Sequence, residues 1–205
     1  MLKITISVLA IVALLVVLGT CVHLYRVSQR NAYEMSKYSA PTELKAKTEK
    51  TLVVYYSLSG HTKKIAEQIA KLTNADTYEI KTAEPIKSSA GFYMQAKKWL
   101  VEEKYPELAE KLPDFSAYDT IFVGGPVWWY APAAPLLTFL QKADFAARKV
   151  VPFSTQGSNY GSFFVDFNRM ARNAKLRRSA SFNNLPEKYD QAVENKIIHW
   201  INLID

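Results

Sequence analysis

Cysteine is almost absent from this chain. One thiol, Cys21, in 205 residues cannot staple a fold, complete a cysteine zinc site or form a Cys-x-x-Cys redox pair. Histidine is scarce as well. His23, His61 and His199 are the three, which argues against a histidine-built centre, so no metal is expected. Several motifs are missing. There is no Gly-x-x-x-x-Gly-Lys-Ser/Thr loop for a nucleoside triphosphate, no Gly-x-Gly-x-x-Gly fingerprint and no Gly-x-Ser-x-Gly elbow. No helix-turn-helix, RNP-like or arginine-rich stretch is visible, so nucleic acid is not an expected partner. The chain has no internal repeat.

What is there is a globular composition, 49% apolar and 22% charged, which excludes a disordered protein. The length suits one domain, or one domain with an appendage. The net charge of +7 is unevenly spread. Residues 1–49 hold six basic and three acidic side chains, leaving twenty against sixteen, a net +4, in the rest. A mildly basic body suits an anionic membrane surface or a phosphate-bearing ligand.

Ile4 to Val22 carries no charge and no histidine. At about 1.5 Å per residue, these residues nearly span a ~30 Å hydrocarbon core, and Leu24 and Tyr25 extend the run. Tyr25 and Arg26 then offer an interfacial ring and a snorkelling cation. Residues 1–25 are therefore expected to form a single transmembrane anchor. A cleaved signal segment competes, with Gly19-Thr20-Cys21 as a faint small-x-small site, although signal cores usually run only about 7–15 residues. Leu18-Gly19-Thr20-Cys21 also resembles a bacterial lipobox, with Thr20 a poor fit. The first reading tethers the body, and the alternatives export it or anchor it by lipid. Arg26, Arg30 and Lys37 follow the segment against Lys3 before it, which leans towards a body on the cytoplasmic side. Residues 26–49 are polar, contain Pro41 and read as a tether.

From residue 50 to 205 the pattern alternates. Thr51 to Tyr56 is a short β-branched and aromatic run, as in a strand buried on both faces. Thr62 to Leu72 follows with Ile65, Ala66, Ile69 and Leu72 on one helical face. Strands are expected at 76–80, 120–123, 149–154 and 176–182, with Pro152 arguing for irregularity. Helices are expected at 91–111, interrupted near Pro106, then from Pro132 to Leu140, over 162–174 and over 190–204. This repeat argues for an α/β doubly wound sheet. Ligands then sit beyond the carboxyl ends of the strands, which directs attention to three loops.

The first is Ser57-Leu58-Ser59-Gly60-His61-Thr62. Two serines, a glycine and a threonine at a helix N-terminus suit a phosphate, although an ordinary cap has the same composition. The second, Gly124-Gly125-Pro126-Val127-Trp128-Trp129-Tyr130, ends in three aromatics that a planar ligand can stack on, with at least one expected to pack inward. The third, Ser154 to Gly161, offers glycines for close backbone approach, hydroxyls, amides and Tyr160.

Together the three loops resemble the flavodoxin-like family that binds FMN, in particular a short branch with a Pro-x-Trp-Trp motif. The resemblance covers about Lys50 to Ile204. It implies a five-stranded parallel sheet in the order 2-1-3-4-5 and non-covalent FMN. It implies Ser57, Ser59, Gly60, His61 and Thr62 at the phosphate, with His61 equally readable as a cap. Pro126, Val127, Trp128, Trp129 and Tyr130 would meet the flavin ring, and Thr155, Gly157, Ser158 and Gly161 its other edge. No catalytic side chain is required, because the flavin carries the redox chemistry. The function implied is electron transfer at a membrane, with a redox partner protein or a quinone. The alternative is an oxidoreductase that passes electrons from NAD(P)H to a quinone or similar acceptor, and a third reading is a scaffold module without flavin. Two features depart from typical flavodoxins: the body is basic, and Gly91 to Leu112 is a long crossover.

Overall fold

The side chains of alternate strand residues point to opposite faces, and here both faces are apolar. In the computed structural model, which describes residues 2–46, 49–89 and 91–204 with side chains from residue 11 onward, helices cover both sides of one sheet. The strands are β1 (Thr51–Tyr55), β2 (Asp76–Glu79), β3 (Thr120–Trp128), β4 (Ala131–Pro132), β5 (Lys149–Gln156), β6 (Lys175–Leu176) and β7 (Ala180–Asn183). The helices are α1 (Leu2–Ser36), α2 (His61–Thr73), α3 (Phe92–Glu102), α4 (Ala134–Lys142), α5 (Phe163–Met170) and α6 (Asp190–Ile201).

Leu52, Val54, Ile121, Val123 and Val150 face a layer that includes Phe92 of α3, Leu136 and Phe139 of α4, and Phe163 and Phe167 of α5. Val53, Tyr55, Phe122, Val151 and Phe153 face the other way, onto Ile65 and Ile69 of α2 and Val193, Ile197 and Trp200 of α6. Such strands, buried on both sides, are the signature of a parallel sheet.

The sheet runs β2-β1-β3-β5, with β6 and β7 both along the outer edge of β5 and β4 folded back on β3. The strands run parallel except in the β3–β4 hairpin. The expected order therefore needs one adjustment: the fifth strand is split. β6 pairs with Lys149 and Val150, and β7 with Phe153 to Gln156, so the break lies opposite Pro152. Proline has no N–H to give to a ladder, and the neighbouring strand is interrupted where that donor is missing.

Other bounds shift for local reasons. β3 does not close at Gly124 but runs through Pro126, which is paired with Thr155. Gly124 is needed there, since a Cβ would lie 2.5 Å from the Phe153 ring. Pro132 sits in β4, and it is Pro135 that occupies the first turn of α4. α3 stops at Glu103 in a left-handed cap (φ 51°), before Pro106, and the following stretch is irregular with a bridge from Leu108 to Thr82. α5 ends at Met170, short of Ala174.

The largest correction concerns residues 26–49. α1 is long and apolar enough to cross a membrane, and residues 11–26 are exposed throughout. It continues as helix to Ser36, and its last turns lie on the body rather than hanging as a tether. Met35 is 4% exposed within the α2–α6 layer. Asn31 Oδ1 accepts from Asn183 Nδ2 at 2.6 Å, and Lys196 is ion-paired with Glu34. Beyond the helix, Asn195 Nδ2 donates to the Tyr38 carbonyl at 2.8 Å. Asn202 accepts from the backbone N–H of Lys45 and donates to the carbonyl of Glu43. The apolar periodicity is weak because polar bonds make much of this contact.

Candidate functional site

The loops after β1, β3 and β5 meet at the carboxyl end of the sheet. Between β3 and β4, Trp128 pairs with Ala131, leaving Trp129 and Tyr130 as a two-residue hairpin tip. Both have positive φ, 49° and 64°. A two-residue turn with both residues left-handed matches the twist of its strands, but it is normally built from Asn-Gly. For bulky residues the conformation costs roughly 1–2 kcal/mol each. Local bonds hold it. The Trp129 indole N–H donates to the Tyr93 carbonyl at 2.7 Å. The Tyr130 carbonyl accepts from the Ser162 backbone N–H at 2.7 Å and from its hydroxyl at 3.1 Å. Gly161, itself at φ 54°, allows this docking, because a Cβ there would stand 2.2 Å from the Tyr130 carbonyl oxygen. Its place is against the aromatic turn.

The three aromatics divide their work. Trp128 packs inward, at 8% exposure, with its ring 5.6 Å from Tyr56 and 4.8 Å from Phe92 (both edge-on) and 6.5 Å from Trp99 (stacked). Burial pushes the Tyr56 phenol pKa well above its ordinary value, so this wall stays neutral. Trp129 and Tyr130 remain 44% and 64% exposed. Lys97 lies over the Trp129 ring, 5.1 Å from its centroid.

A cleft of about 350 Å³ is walled by Val127 to Tyr130 on one side and Gln156 to Asn159 on the other, with Phe92, Tyr93 and Ala96 of α3 closing it. That volume is in the range of small-molecule sites. Gly157 leaves open space where a Cβ would be, so its backbone can be approached closely. A larger groove of about 660 Å³ lies between α3 and residues 83–89, away from the second and third loops.

The first loop stands beside the cleft and does not line it. Gly60 donates its N–H to Ser57 Oγ at 3.2 Å and sits at φ 88° with open space around it. α2 then begins at His61 with no side chain capping it. An uncapped helix start presents free N–H groups and the positive end of the dipole, which suits an anion. Ser57 is half-buried and Ser59 and His61 are exposed. Thr62 is not: it is 1% exposed, and its Oγ1 lies 2.7 Å from Oγ1 of Thr155. These two buried hydroxyls lock the first loop to β5. Pro126 is half-buried within β3 and outside the cleft lining.

Among the expected residues, the cleft thus gathers Val127, Trp128, Trp129, Tyr130, Gly157 and Ser158. Sequence reasoning missed Gln156 and Asn159, which lie inside the third loop, and did not single out Phe92 and Ala96, whose i, i+4 spacing put them on one face of α3. Gln156 is 6% exposed and links the site outward. It accepts from Ser154 Oγ (2.9 Å) and donates to Asn183 (2.9 Å), which in turn donates to Asn31 of α1. Arg30 of α1 also donates to the Ser158 carbonyl. No cluster of metal-ligating side chains occurs among the described residues.

Residues 50–202 match the flavodoxin family. No curated protein matches the chain. Among solved structures, a Lactobacillus acidophilus flavoprotein in complex with FMN is 30% identical, covering 65% of this chain and 93% of its own, with TM-score 0.59. A candidate flavoprotein from Bacteroides uniformis is 27% identical, over 76% of this chain and 99% of its own, with TM-score 0.61. One from Bacteroides eggerthii shares the fold at 23% identity and TM-score 0.66, over 76% and 98%.

Proposed function

The chain belongs to the flavodoxin family, and from this we propose that it is an FMN-binding redox protein held at a membrane by α1, serving as an electron carrier. The observation that carries the reading is the juxtaposition at the carboxyl end of the sheet. An exposed indole, Trp129, faces an open glycine backbone at Gly157 across the cleft, with an uncapped helix start beside it. These residues fit the group. Ser57, Ser59, Gly60 and the first N–H groups of α2 would hold the phosphate, with exposed His61 at hand. Trp129 and Tyr130 would bracket the ring from one side, Gly157 and Ser158 from the other. Thr62 and Thr155 would act from beneath, fixing the distance between the loops.

FMN supplies reversible electron uptake, and the protein supplies binding, shielding and access. Trp128, Phe92 and Trp99 keep water from the inner side of the cleft. Lys97 places a positive charge beside the outer indole, which favours an anionic guest. Arg26, Arg30 and Lys37 follow the apolar stretch, which supports a body on the cytoplasmic side. The partner is a membrane redox protein or a quinone.

The test is an absorption spectrum of the purified full chain in detergent, before and after FMN, then with NADPH without oxygen. Flavin bands that co-purify or appear on addition are expected, with flavin fluorescence quenched by Trp129. Protein that never takes up FMN defeats the reading. Bleaching by NADPH would replace the carrier by the oxidoreductase.

A further inference from the structure

The contacts of α1 follow an order along the body. Arg30 meets the Ser158 carbonyl, and Asn31 meets Asn183 at the carboxyl end of β7. Glu34 meets Lys196 in the middle of α6. Tyr38 meets Asn195 and His199, and residues 43–46 meet Asn202, beyond the end of α6. β1 then starts at Thr51, at the amino end of the sheet. The chain therefore descends from the carboxyl end of the sheet to the amino end. The exposed apolar part of α1, upstream of Arg30, must project beyond the carboxyl end, the end that carries the cleft.

Arg30 lies only five positions beyond Tyr25, about 8 Å of helix. Helix 2–36 is unbroken across this stretch, so it is a rigid arm rather than a leash. The same end exposes Tyr93, Met94, Trp129, Tyr130 and Tyr160 around the cleft. Large amphipathic rings are the side chains that settle at a membrane–water interface. Lys97 stands among them, with Arg26 and Arg30 on the arm, a charge set that suits anionic headgroups.

We propose that the mouth of the cleft is pressed against the bilayer surface, with this aromatic rim in the headgroup layer. The guest in the cleft is then reached from the lipid side, and the redox partner is one that dissolves in the bilayer. The proposal rests on the membrane reading of α1. It extends that reading from attachment to orientation, and it draws on residues outside the family match, which begins at residue 50.

The test uses the full chain with Cys21→Ser, reconstituted into vesicles that contain lipids with a nitroxide on the headgroup. A fluorophore is attached at one new cysteine at a time: Met94→Cys or Tyr160→Cys on the rim, or Lys142→Cys at the opposite end of the sheet. Met94 is exposed on the surface of α3, so it reports even if a label at 160 unsettles its loop. Quenching at the rim is expected to exceed that at 142 by at least fivefold. Equal quenching at all positions, in protein that floats with the vesicles, overturns the orientation and leaves the anchor standing. Protein that does not float with vesicles overturns both, while FMN binding in detergent remains a separate result.

Discussion

Two turns in this molecule share a backbone and differ in everything else. Trp129-Tyr130 and Ala146-Ala147 are each a consecutive pair of non-glycine residues at positive φ, 49° and 64° in the first and 47° and 61° in the second. They lie at opposite ends of the sheet. The alanine turn is tied down by a dedicated clasp. Asp144 accepts from the Ala146 N–H and from the Asn173 side chain, and the Ala147 N–H donates to the Asn173 carbonyl. Its side chains are minimal, and it closes a loop before β5. The aromatic turn is held through its own indole and one carbonyl, and it displays two large rings over a cleft. Strain alone therefore does not mark a site. Strain that displays chemistry beside open space does.

The comparison can be broken or sharpened in five steps. The largest effect is expected from Trp128→Ala, which removes the packed base of the aromatic turn and should cost about 3–5 kcal/mol in chemical denaturation. Trp129→Ala, one residue on, removes the indole bond to the Tyr93 carbonyl and should cost only about 1 kcal/mol of stability, while weakening FMN about tenfold, read by fluorescence titration. Gly161→Ala comes next. Its Cβ collides with the Tyr130 carbonyl at a left-handed φ, so a loss of about 2–3 kcal/mol and weaker FMN binding are expected, whereas Gly157→Ala should not change the stability of the FMN-free protein. Replacing Ala146-Ala147 by Asn-Gly should stabilise the protein by about 1 kcal/mol and leave FMN binding untouched, while the same swap at Trp129-Tyr130 should relieve strain and weaken FMN at least tenfold.

The smallest effect is acid sensitivity of the alanine turn. The Ala146 N–H, then the Asn173 amide and Arg172, hold the Asp144 carboxyl below its ordinary range. A depressed folded pKa stabilises above the unfolded value of about 3.9 and is lost as pH falls through the folded one. Protection of the Ala146 amide, its exchange relative to the intrinsic rate, should therefore fall as the pH drops below about 4, with no matching step at Trp129, whose indole bond does not titrate.

Much of the fold was legible because its strands are short apolar runs between turn residues, and Thr51 to Tyr56 could be little else. The site was legible where composition is unusual, as at Trp128-Trp129-Tyr130. The rest was hidden for physical reasons. Which indole packs inward depends on Phe92 and Trp99, which reach it from α3. Thr62 and Thr155 look like ligand hydroxyls in sequence, yet tertiary packing turns them towards each other. The docking of residues 30–46 mixes asparagine bonds and one ion pair with scattered apolar contacts at Met35, Tyr38 and Leu44, which leave no regular hydrophobic period to read.

That docking has a consequence for biosynthesis. Asn31 and Asn183 are 152 positions apart, Tyr38 and Asn195 157, and Glu34 and Lys196 162. α1 finds these partners only when β7 and α6 have been made. At roughly 5–20 residues per second, α1 waits on the order of 10–30 s with its docking face unsatisfied. On the proposed membrane role, its apolar stretch enters a bilayer in that interval, before the body exists to hold it. Insertion would then precede folding, and the final act of assembly would be the body closing onto a helix already in place.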